Sequence, residues 1–521
     1  MMNQQRKLPI GIQSFEDLRV NNYLYVDKTS YVYRLANYGK PYFLGRPRRF
    51  GKSLFLSTLK AYFFGKKELF EGLAIAEQEK DWLEYPVFHL DMNVGIITDG
   101  VSLYQRLGVI LTDLENQWGR TVDGNDPATR FEAVIKQACK QTGRRVVVLV
   151  DEYDKPLLAT MNDLDANDAI RDVLKAFYGV LKSADEYLRF IFFTGVTKFS
   201  KVSIFSDLNQ LDDISMDKRY GGICGISESE LLRDFWPELQ ALSEETGKTG
   251  EDVFAEMKKR YDGYHFAKES EDIYNPFSVL KTFSRLDFGN YWFETGTPTF
   301  LVKMLKAVNF DIPKLENDVR IPAQSIMDYR TDNSDPVPVL YQSGYLTVKD
   351  YDNLLDEYTL GLPNEEVRYG FFRELLMVYM PGKNINGEFS SGQFIRDLWA
   401  NNVDDFMTRL KAFFADIPYD LNNRKEKHYQ TVFYILFKLM GQYIRVEYRT
   451  AVGRIDAVVS TGDAVYVFGF KLSGKVAAED ALKQIDEKDY PIPFTASGKR
   501  IVKIGVEFDA DVRGVGRWIV G

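Results

Sequence analysis

Residues 41–59 read PYFLGRPRRFGKSLFLSTL and decide the fold of the N-terminal part of the chain. The short apolar run at 41–45 predicts a strand, and the apolar residues after residue 53 recur at helical spacing. A basic, glycine-containing loop lies between the two. A loop that connects a strand to a helix N-terminus points backbone N–H groups at an anion. The stretch therefore predicts a phosphate-binding loop.

The side chains of this loop suit a nucleotide triphosphate. Lys52 is expected to reach the β- and γ-phosphates, and Ser53 is expected to hold Mg²⁺, so ATP and Mg²⁺ are the expected cofactors. Arg46 replaces the usual first glycine, which predicts a slightly reshaped loop. Arg48 and Arg49 either add charge to the phosphate pocket or face a partner subunit, and the second alternative implies a homo-oligomer. The full predicted nucleotide-binding set is Arg48, Arg49, Phe50, Gly51, Lys52, Ser53 and Leu54.

A second motif, VVVLVDEYD (146–154), ends a buried strand in acidic residues. Asp151 is expected beside the Mg²⁺ ion, and Glu152 is expected to act as a general base on the attacking water. Thr194 ends another apolar strand, where it either orients that water or belongs to an ordinary turn. The loop and this motif together predict ATP binding and hydrolysis.

Strands and helices alternate through the N-terminal 220 residues, which predicts an α/β fold with a parallel sheet and helices on both faces, as in P-loop NTPases. Residue 227 opens a capping box, Ser227 with Glu230, and a mainly helical region follows. A helix and a hairpin at 337–362 indicate a winged-helix-like module. The last hundred residues predict a helix, three strands, a helix and a strand. The predicted domains are 1–220 (ATPase), 221–375 (helical and winged-helix-like) and 376–521 (a second α/β domain).

Composition limits the classes of function. Of 521 residues, 45% are hydrophobic and 27% are charged, which is typical of a globular chain. The net charge of −9 excludes a globally basic nucleic-acid binder, although a local basic groove remains open. Two cysteines and three histidines lack the spacing of a zinc cluster. Without an apolar run near the ~18–20 residues of a membrane span or a signal sequence, we expect a cytoplasmic protein with no membrane association.

Several segments resemble the bacterial AAA-ATPase-like family, whose members typically carry a C-terminal domain of the PD-(D/E)XK nuclease superfamily. The resemblance runs from about residue 8 to residue 515, and it implies a P-loop ATPase core and a C-terminal restriction-endonuclease-like α/β domain. The family itself has arginine at the position of Arg46. Asp27 and Lys28 resemble a family signature, for which a helix cap by Asp27 is the alternative to a place near the nucleotide. The segments that carry the resemblance are YLYVDKTSYV, RPRRFGKSLFLSTL, VVVLVDEYDKP, FFTGVTKFSKVSIFSDLNQLDDIS, YDGYHF, YNPFSVL, YWFETGTPTFL and LYQSGYLTVKDYD.

The C-terminal stretch GRIDAVVSTGDAVYVFGFKL (453–472) resembles most of a metal-dependent nuclease site. The resemblance implies Glu447 and Asp456 as metal ligands and Asp456 with Lys471 as catalytic residues. Where the family has glutamate, this chain has Gly469, which supplies no ligand oxygen, so we expect an impaired site. Either the domain has become a binding module or Gly469 is a substitution in this copy. The alternative for Asp456 and Lys471 is an ordinary ion pair at a strand edge.

Further residues near this stretch fit the same domain. Gln484 and Tyr490 resemble accessory residues of some members of the superfamily. A group of basic residues lines either a phosphate groove or a solvated face: Arg424, Lys425, Lys427, Arg445, Arg449, Arg454 and Lys475. We also expect Gly469→Glu to restore or raise metal-dependent cleavage, because it fills the missing ligand position.

Two functions follow from the sequence. The first is an ATP-binding and ATP-hydrolysing protein that acts on, or signals through, DNA or RNA and carries an impaired nuclease-like domain. The alternative is a nucleotide-switched defence or signalling scaffold whose nuclease-like domain only binds a partner. A structural protein with two inert sites is a third possibility.

Overall fold

A computed structural model describes the chain in two compact units, Met1–Thr295 with Lys314–Val367, and Gly296–Pro313 with Arg368–Gly521. The predicted boundary at 220/221 falls inside the first unit, and the boundary at 375/376 falls inside the second. The described residues are 6–93, 95–161, 163–198, 210–295, 299–316, 318–327, 335–379, 391–415, 426–440, 444–450, 453–472, 478–509 and 514–521.

The strands form four sheets among the described residues. They are β1 (Pro41–Gly45), β2 (Val87–Asp91), β3 (Val146–Asp151), β4 (Leu188–Gly195), β5 (Asp212–Asp213), β6 (Ile226–Ser227), β7 (Ile273–Tyr274), β8 (Val319–Pro322), β9 (Thr347–Asp352), β10 (Glu357–Gly361), β11 (Ile444–Thr450), β12 (Gly453–Ser460), β13 (Ala464–Leu472), β14 (Arg500–Asp509) and β15 (Gly514–Val520).

The helices differ widely in length. They are α1 (Phe15–Val20), α2 (Thr29–Tyr38), α3 (Lys52–Phe63), α4 (Ala74–Gln78), α5 (Gly100–Trp118), α6 (Pro127–Thr142), α7 (Lys155–Ala159), α8 (Leu164–Ser183), α9 (Glu228–Asp234), α10 (Trp236–Thr246), α11 (Gly250–Tyr261), α12 (Pro276–Arg285), α13 (Thr299–Ala307), α14 (Val337–Gln342), α15 (Glu365–Tyr379), α16 (Ser391–Trp399), α17 (Val403–Ala415), α18 (Glu426–Leu439), α19 (Ala478–Glu487) and α20 (Ile492–Thr495). Within the described part of the chain, no helix has both the length and the apolar composition that crossing a bilayer requires.

The first unit is built on the predicted parallel sheet. Its strand order is β2-β3-β4-β1-β5, and every neighbouring pair is parallel. All six residues of β3 are buried, because apolar side chains on both faces meet covering helices. The sheet confirms the predicted α/β fold. The two-residue strand β5 was not predicted, since so short a segment has no periodicity to read.

The register of this sheet brings the ends of separate strands to one edge. Gly45 at the end of β1 pairs with Gly195 at the end of β4, and Asp91 of β2 pairs with Asp151 of β3. In a parallel sheet the carboxyl ends of all strands lie on the same side, where ligands usually bind. The phosphate loop and the acidic motif therefore face the same crevice, although β4 lies between their strands.

The remainder of the first unit is largely helical, as expected after residue 220. Ser227 accepts a hydrogen bond from the backbone of Glu230, and the Glu230 side chain accepts one from the backbone of Ser227, which confirms the capping box at the start of α9. The predicted helix and hairpin are α14 with β9 and β10. Strand β8 joins them in an antiparallel sheet of order β8-β10-β9.

The second unit contains a mixed sheet of order β11-β12-β13-β14-β15. Strands β13 and β14 are parallel, as expected for strands joined by a helix, here α19, and the other neighbours are antiparallel. The sequence predicted one strand after α19. The structure has two, because β15 pairs with the outer edge of β14 through contacts that local sequence does not reveal.

Candidate functional site

The phosphate loop runs from β1 into α3 through two left-handed residues. Gly51, the N-cap of α3, has φ of 91°, and Arg49 has φ of 69°. Glycine adopts this conformation without strain, whereas a residue with a side chain does so only when its surroundings hold it there. The turn places Lys52 in the first turn of α3. Its ammonium Nζ donates to the carbonyl oxygens of Arg46 (2.9 Å) and Pro47 (3.0 Å).

The Arg46 side chain is directed toward the segment after β5. Its guanidinium is buried and donates to the carbonyl oxygens of Ser215 (2.7 Å) and Tyr220 (3.0 Å). The guanidinium carbon also lies 4.2 Å from the centre of the Phe266 ring. Arginine at this position therefore fastens the base of the loop to the segment after β5.

The two acids of the second motif are held by Thr194. Its hydroxyl donates to Asp151 Oδ1 at 2.5 Å and accepts from the backbone N–H of Glu152 at 3.3 Å. Glu152 has φ of 50°, a left-handed conformation that is costly for a residue with a side chain. The Thr194 side chain is buried, and its contacts connect the end of β4 to the end of β3. Thr194 thus fixes the positions of both candidate acids.

Burial changes the proton affinity of the central groups. Burial lowers the pKa of Lys52, and the nearby carboxylates of Glu152, Asp154 and Asp151 act against that shift. Burial raises the pKa of Glu152, with Lys52 opposing the change. A carboxylate with a raised pKa is a stronger base than one in water, which suits the predicted role of Glu152.

Asp154 and Tyr153 were not identified from the sequence. Asp154 is buried and its Oδ2 accepts from the backbone N–H groups of Val196 (2.9 Å) and Thr197 (2.7 Å). A Cβ atom at Gly195 would lie 2.8 Å from both the Tyr153 ring and Asp154 Oδ1, so only glycine fits there. The fourth letter of the DEYD motif was the available signal, because a third acid so close to a buried strand needs a hydrogen-bond partner.

A cavity of about 350 Å³ joins the loop to the acidic motif. Four cationic side chains line it: Arg48, Arg49, Lys52 and Lys155. Glu152, Ser53 and Asn93 line it too, and of these Asn93, like Lys155, was absent from the predicted set. An excess of positive charge around a helix N-terminus favours a polyanion such as a triphosphate.

A smaller apolar cavity of about 90 Å³ adjoins the first. Leu54 and Gly51 line both cavities, whereas Phe50 lines only the smaller one. The Phe50 ring packs edge-on against Tyr264, at 4.7 Å between ring centres. Phe50 and Leu54, both in the predicted nucleotide-binding set, therefore lie beside the apolar space.

The family signature at Asp27 and Lys28 has a structural role. Asp27 Oδ1 accepts from the backbone N–H of Thr29 at 2.8 Å, and Oδ2 accepts from the backbone N–H of Ala74 at 2.7 Å, whereas the N-cap residue of α2 is Lys28 and not Asp27. Lys28 Nζ donates to both carboxylate oxygens of Glu230, at 2.6 and 2.7 Å. This largely buried ion pair joins the N-terminal segment to α9, and Lys28 also lines the apolar cavity.

The nuclease-like sheet places Asp456 and Lys471 on adjoining strands, β12 and β13. Asp456 Oδ2 accepts from the backbone N–H of Phe470 at 2.8 Å. Lys471 lies in register with Glu507 of β14. Glu447 is on β11, but its side chain lies outside the described residues, as do those of the predicted basic group. The described side chains contain no cluster of three or more histidine, cysteine or acidic residues arranged to hold a metal ion.

Gly469 lies directly beneath α19. A Cβ atom there would be 3.0 Å from the Ala481 carbonyl oxygen and 3.3 Å from Ile485 Cδ1. Gly469 pairs with Gly505 of β14, where a Cβ atom would be only 2.3 Å from the Ala478 carbonyl oxygen. The two glycines let the helix lie close to the sheet. Any side chain at residue 469 must therefore displace α19 slightly.

The accessory residues lie in this helix and just after it. Gln484 is half-buried on α19, and Tyr490 is buried against a cluster that contains Val467 and Ile485. Tyr490 thus contributes to the core that holds α19 on the sheet.

The comparisons with known proteins agree with this arrangement. Residues 9–205 match the family model of a predicted AAA-ATPase, and residues 424–518 match a model of the PD-(D/E)XK nuclease superfamily. An uncharacterized protein of the vnfD 5′ region of Azotobacter chroococcum mcd 1 is 39% identical over 529 residues, covering 99% of each chain. The chain therefore belongs to the AAA-ATPase-like family whose members combine this ATPase domain with a C-terminal domain of the PD-(D/E)XK nuclease superfamily.

Proposed function

We propose that the first unit binds ATP with Mg²⁺ and hydrolyses it in the 350 Å³ cavity. The observation that carries this proposal is the meeting of Lys52, Ser53 and Glu152 around one cavity that two loop arginines also line. An ammonium group has three donors, and the two loop carbonyls use two of those on Lys52. The donors, acids and charge of the cavity fit a triphosphate and its metal ion.

The phosphate end of the nucleotide is proposed to lie against the loop. Lys52, Arg48 and Arg49 would bind phosphate oxygens, and the backbone N–H groups at the start of α3 would add to them. Ser53 and Asp151 would hold Mg²⁺, which neutralises charge on the phosphates when it is bound. These groups would orient the terminal phosphate toward Glu152.

The nucleoside end is proposed to enter the apolar cavity of about 90 Å³. The two cavities share Pro9, Gly51, Leu54, Pro276 and Leu280 along their walls, which supports a ligand that extends from the first cavity into the second. Apolar walls accept the flat face of a base and exclude water from it.

Glu152 is proposed to take a proton from the attacking water. Its raised pKa makes the carboxylate a better acceptor, and Thr194 fixes the backbone that carries it. Asp154, which is occupied by backbone N–H groups, maintains the loop after β4.

The nuclease-like domain is proposed to contact DNA or RNA with impaired catalysis. In support, Asp456 and Lys471 are present on neighbouring strands, whereas residue 469 supplies no ligand oxygen. The closeness of α19 to Gly469 favours the alternative that this domain binds a partner without cleaving it. ATP binding would then switch a scaffold used in signalling or defence.

Phosphate release with Mg²⁺·ATP tests the proposal, with and without added DNA or RNA. Lys52→Ala is expected to abolish turnover, and Lys67→Ala, at an exposed lysine outside the cavity walls, is the matched control. Thermal unfolding gives a second measurement, since a ligand at 100 times its Kd adds roughly 2.7 kcal/mol of stability. Equal turnover by the wild type and Lys52→Ala would refute hydrolysis at this site.

A further inference from the structure

Glu366 is a buried carboxylate whose two oxygens are bonded to different parts of the first unit. Oε1 accepts from the backbone N–H of Trp292 at 2.9 Å, and Oε2 accepts from the Ser278 hydroxyl at 2.7 Å. The side chain is 1% exposed, and burial raises its pKa to about 7. Burying a carboxyl group is costly unless hydrogen bonds compensate for the lost water, and here a backbone N–H and a hydroxyl provide those bonds.

Oε1 of Glu366 is connected to Arg48 of the phosphate loop through Trp292. The indole Nε1 of Trp292 donates to the carbonyl oxygen of Arg48 at 3.4 Å. The Trp292 ring is buried and packs against Tyr345, with 5.2 Å between ring centres. Glu366 therefore fixes the backbone of Trp292, whose indole group in turn binds the backbone of the loop at Arg48.

Oε2 of Glu366 is connected to Arg49 through Ser278 and its neighbour Phe277. Ser278 lies in the first turn of α12, directly after Phe277. The Arg49 guanidinium carbon lies 5.0 Å from the centre of the Phe277 ring, which also lines the 350 Å³ cavity. A cation over an aromatic face is attracted to it, so the position of Phe277 influences that of Arg49.

We propose that Glu366 is a positioning residue for the phosphate loop, which fixes Arg48 through Trp292 and Arg49 through the start of α12. The inference rests on the proposed nucleotide function and concerns the phosphate end of the same site. Arg49 adopts a left-handed conformation that needs support from its surroundings. A loop already held in its binding conformation loses less entropy when the phosphates bind, so the network raises affinity.

Calorimetry with AMP-PNP and Mg²⁺ tests this role, because it reports Kd and binding stoichiometry separately. Trp292→Phe keeps a ring and removes the indole donor. We expect a roughly three- to tenfold increase in Kd with unchanged stoichiometry, the size of one lost hydrogen bond. Glu366→Ala, which removes both acceptor oxygens, is expected to have at least the same effect, and the double variant is expected to raise Kd by less than the product of the two single effects.

Trp118→Phe is the matched control, since the buried indole nitrogen of Trp118 has no hydrogen-bond partner among the described residues. Its Kd should equal that of the wild type. Reduced stoichiometry at unchanged Kd in Trp292→Phe would show a purely structural role and overturn the inference, as would an unchanged Kd and stoichiometry. If Glu366→Ala does not fold, Trp292→Phe and Ser278→Ala decide the question. Absence of AMP-PNP binding by the wild type would instead refute the proposed nucleotide function.

Discussion

The phosphate-loop cavity and the nuclease-like sheet each combine a lysine with acidic residues, but they differ in how many of the predicted side chains are present. At the first site, Lys52, Asp151 and Glu152 each have a hydrogen bond to the side chain or the backbone that holds them in place. In the nuclease-like sheet, Asp456 accepts a backbone hydrogen bond and residue 469 has no side chain. A catalytic set needs every member in place, so the first site is expected to be active and the second impaired.

The two sites also differ in the space that is available, which is larger at the first site. The walls of the first site enclose about 350 Å³ with four cationic side chains. In the second, the carbonyl oxygen of Ala481 in α19 lies 3.0 Å from the position of a Cβ atom at residue 469, so a side chain there has little room.

The largest expected effect is at Glu152. Glu152→Gln keeps the size of the side chain and removes the base, so turnover of Mg²⁺·ATP should fall by about 10²- to 10⁴-fold while nucleotide still binds. Phosphate release and calorimetry measure the two quantities. Turnover within about threefold of the wild type would show that Glu152 is not the base.

The next effect concerns the glycines under α19. Gly505→Ala places a methyl group against the Ala478 carbonyl, whereas at Gly469 the space is short by only a few tenths of an ångström. Gly505→Ala should destabilise the second unit by about 3 kcal/mol and Gly469→Ala by about 1 kcal/mol. Denaturant unfolding of the two variants gives the comparison. Equal stabilities would mean that α19 does not lie as close to the sheet as described.

A pH effect is expected in the first unit. The folded-state pKa of Glu366 is about 7, above its ordinary value of 4.5, because of burial. Between these values the folded state binds more protons than the unfolded state, so stability falls as pH rises from about 5 to 8. The contribution is at most about 3 kcal/mol.

Glu366→Gln isolates this contribution from those of other acids. We expect a smaller loss of stability between pH 5 and pH 8 in the variant than in the wild type, measured by thermal unfolding at both pH values. Identical pH dependence in the two proteins would show that the carboxyl group is not protonated at low pH in the folded state.

The smallest expected effect is a gain of activity at residue 469. Gly469→Glu supplies the missing acid beside Asp456 and should raise Mg²⁺-dependent cleavage of DNA or RNA by about tenfold. Gly469→Ala is its control, because it introduces the steric change without the carboxylate. A Gly469→Glu protein that is folded and binds Mg²⁺, yet leaves every substrate intact, would favour the non-catalytic binding module.

Local sequence determined the elements that carry the first site. The apolar runs, the basic loop and the capping box at Ser227 depend on neighbouring residues, so each was predictable without the fold. The parallel sheet followed from the alternation of strands and helices. The resemblance to the family predicted the nuclease-like domain and the absence of an acid at Gly469. Hydrophobic periodicity alone predicts neither.

Only the tertiary structure decided how these elements support one another. Glu366 and Ser278 are 88 residues apart, and Lys28 and Glu230 are 202 apart, so no local pattern relates them. The burial of Arg46 likewise depends on the segment after β5. Such contacts arise when distant segments pack together, because burying polar groups is favourable only where partners from elsewhere in the chain complete their hydrogen bonds.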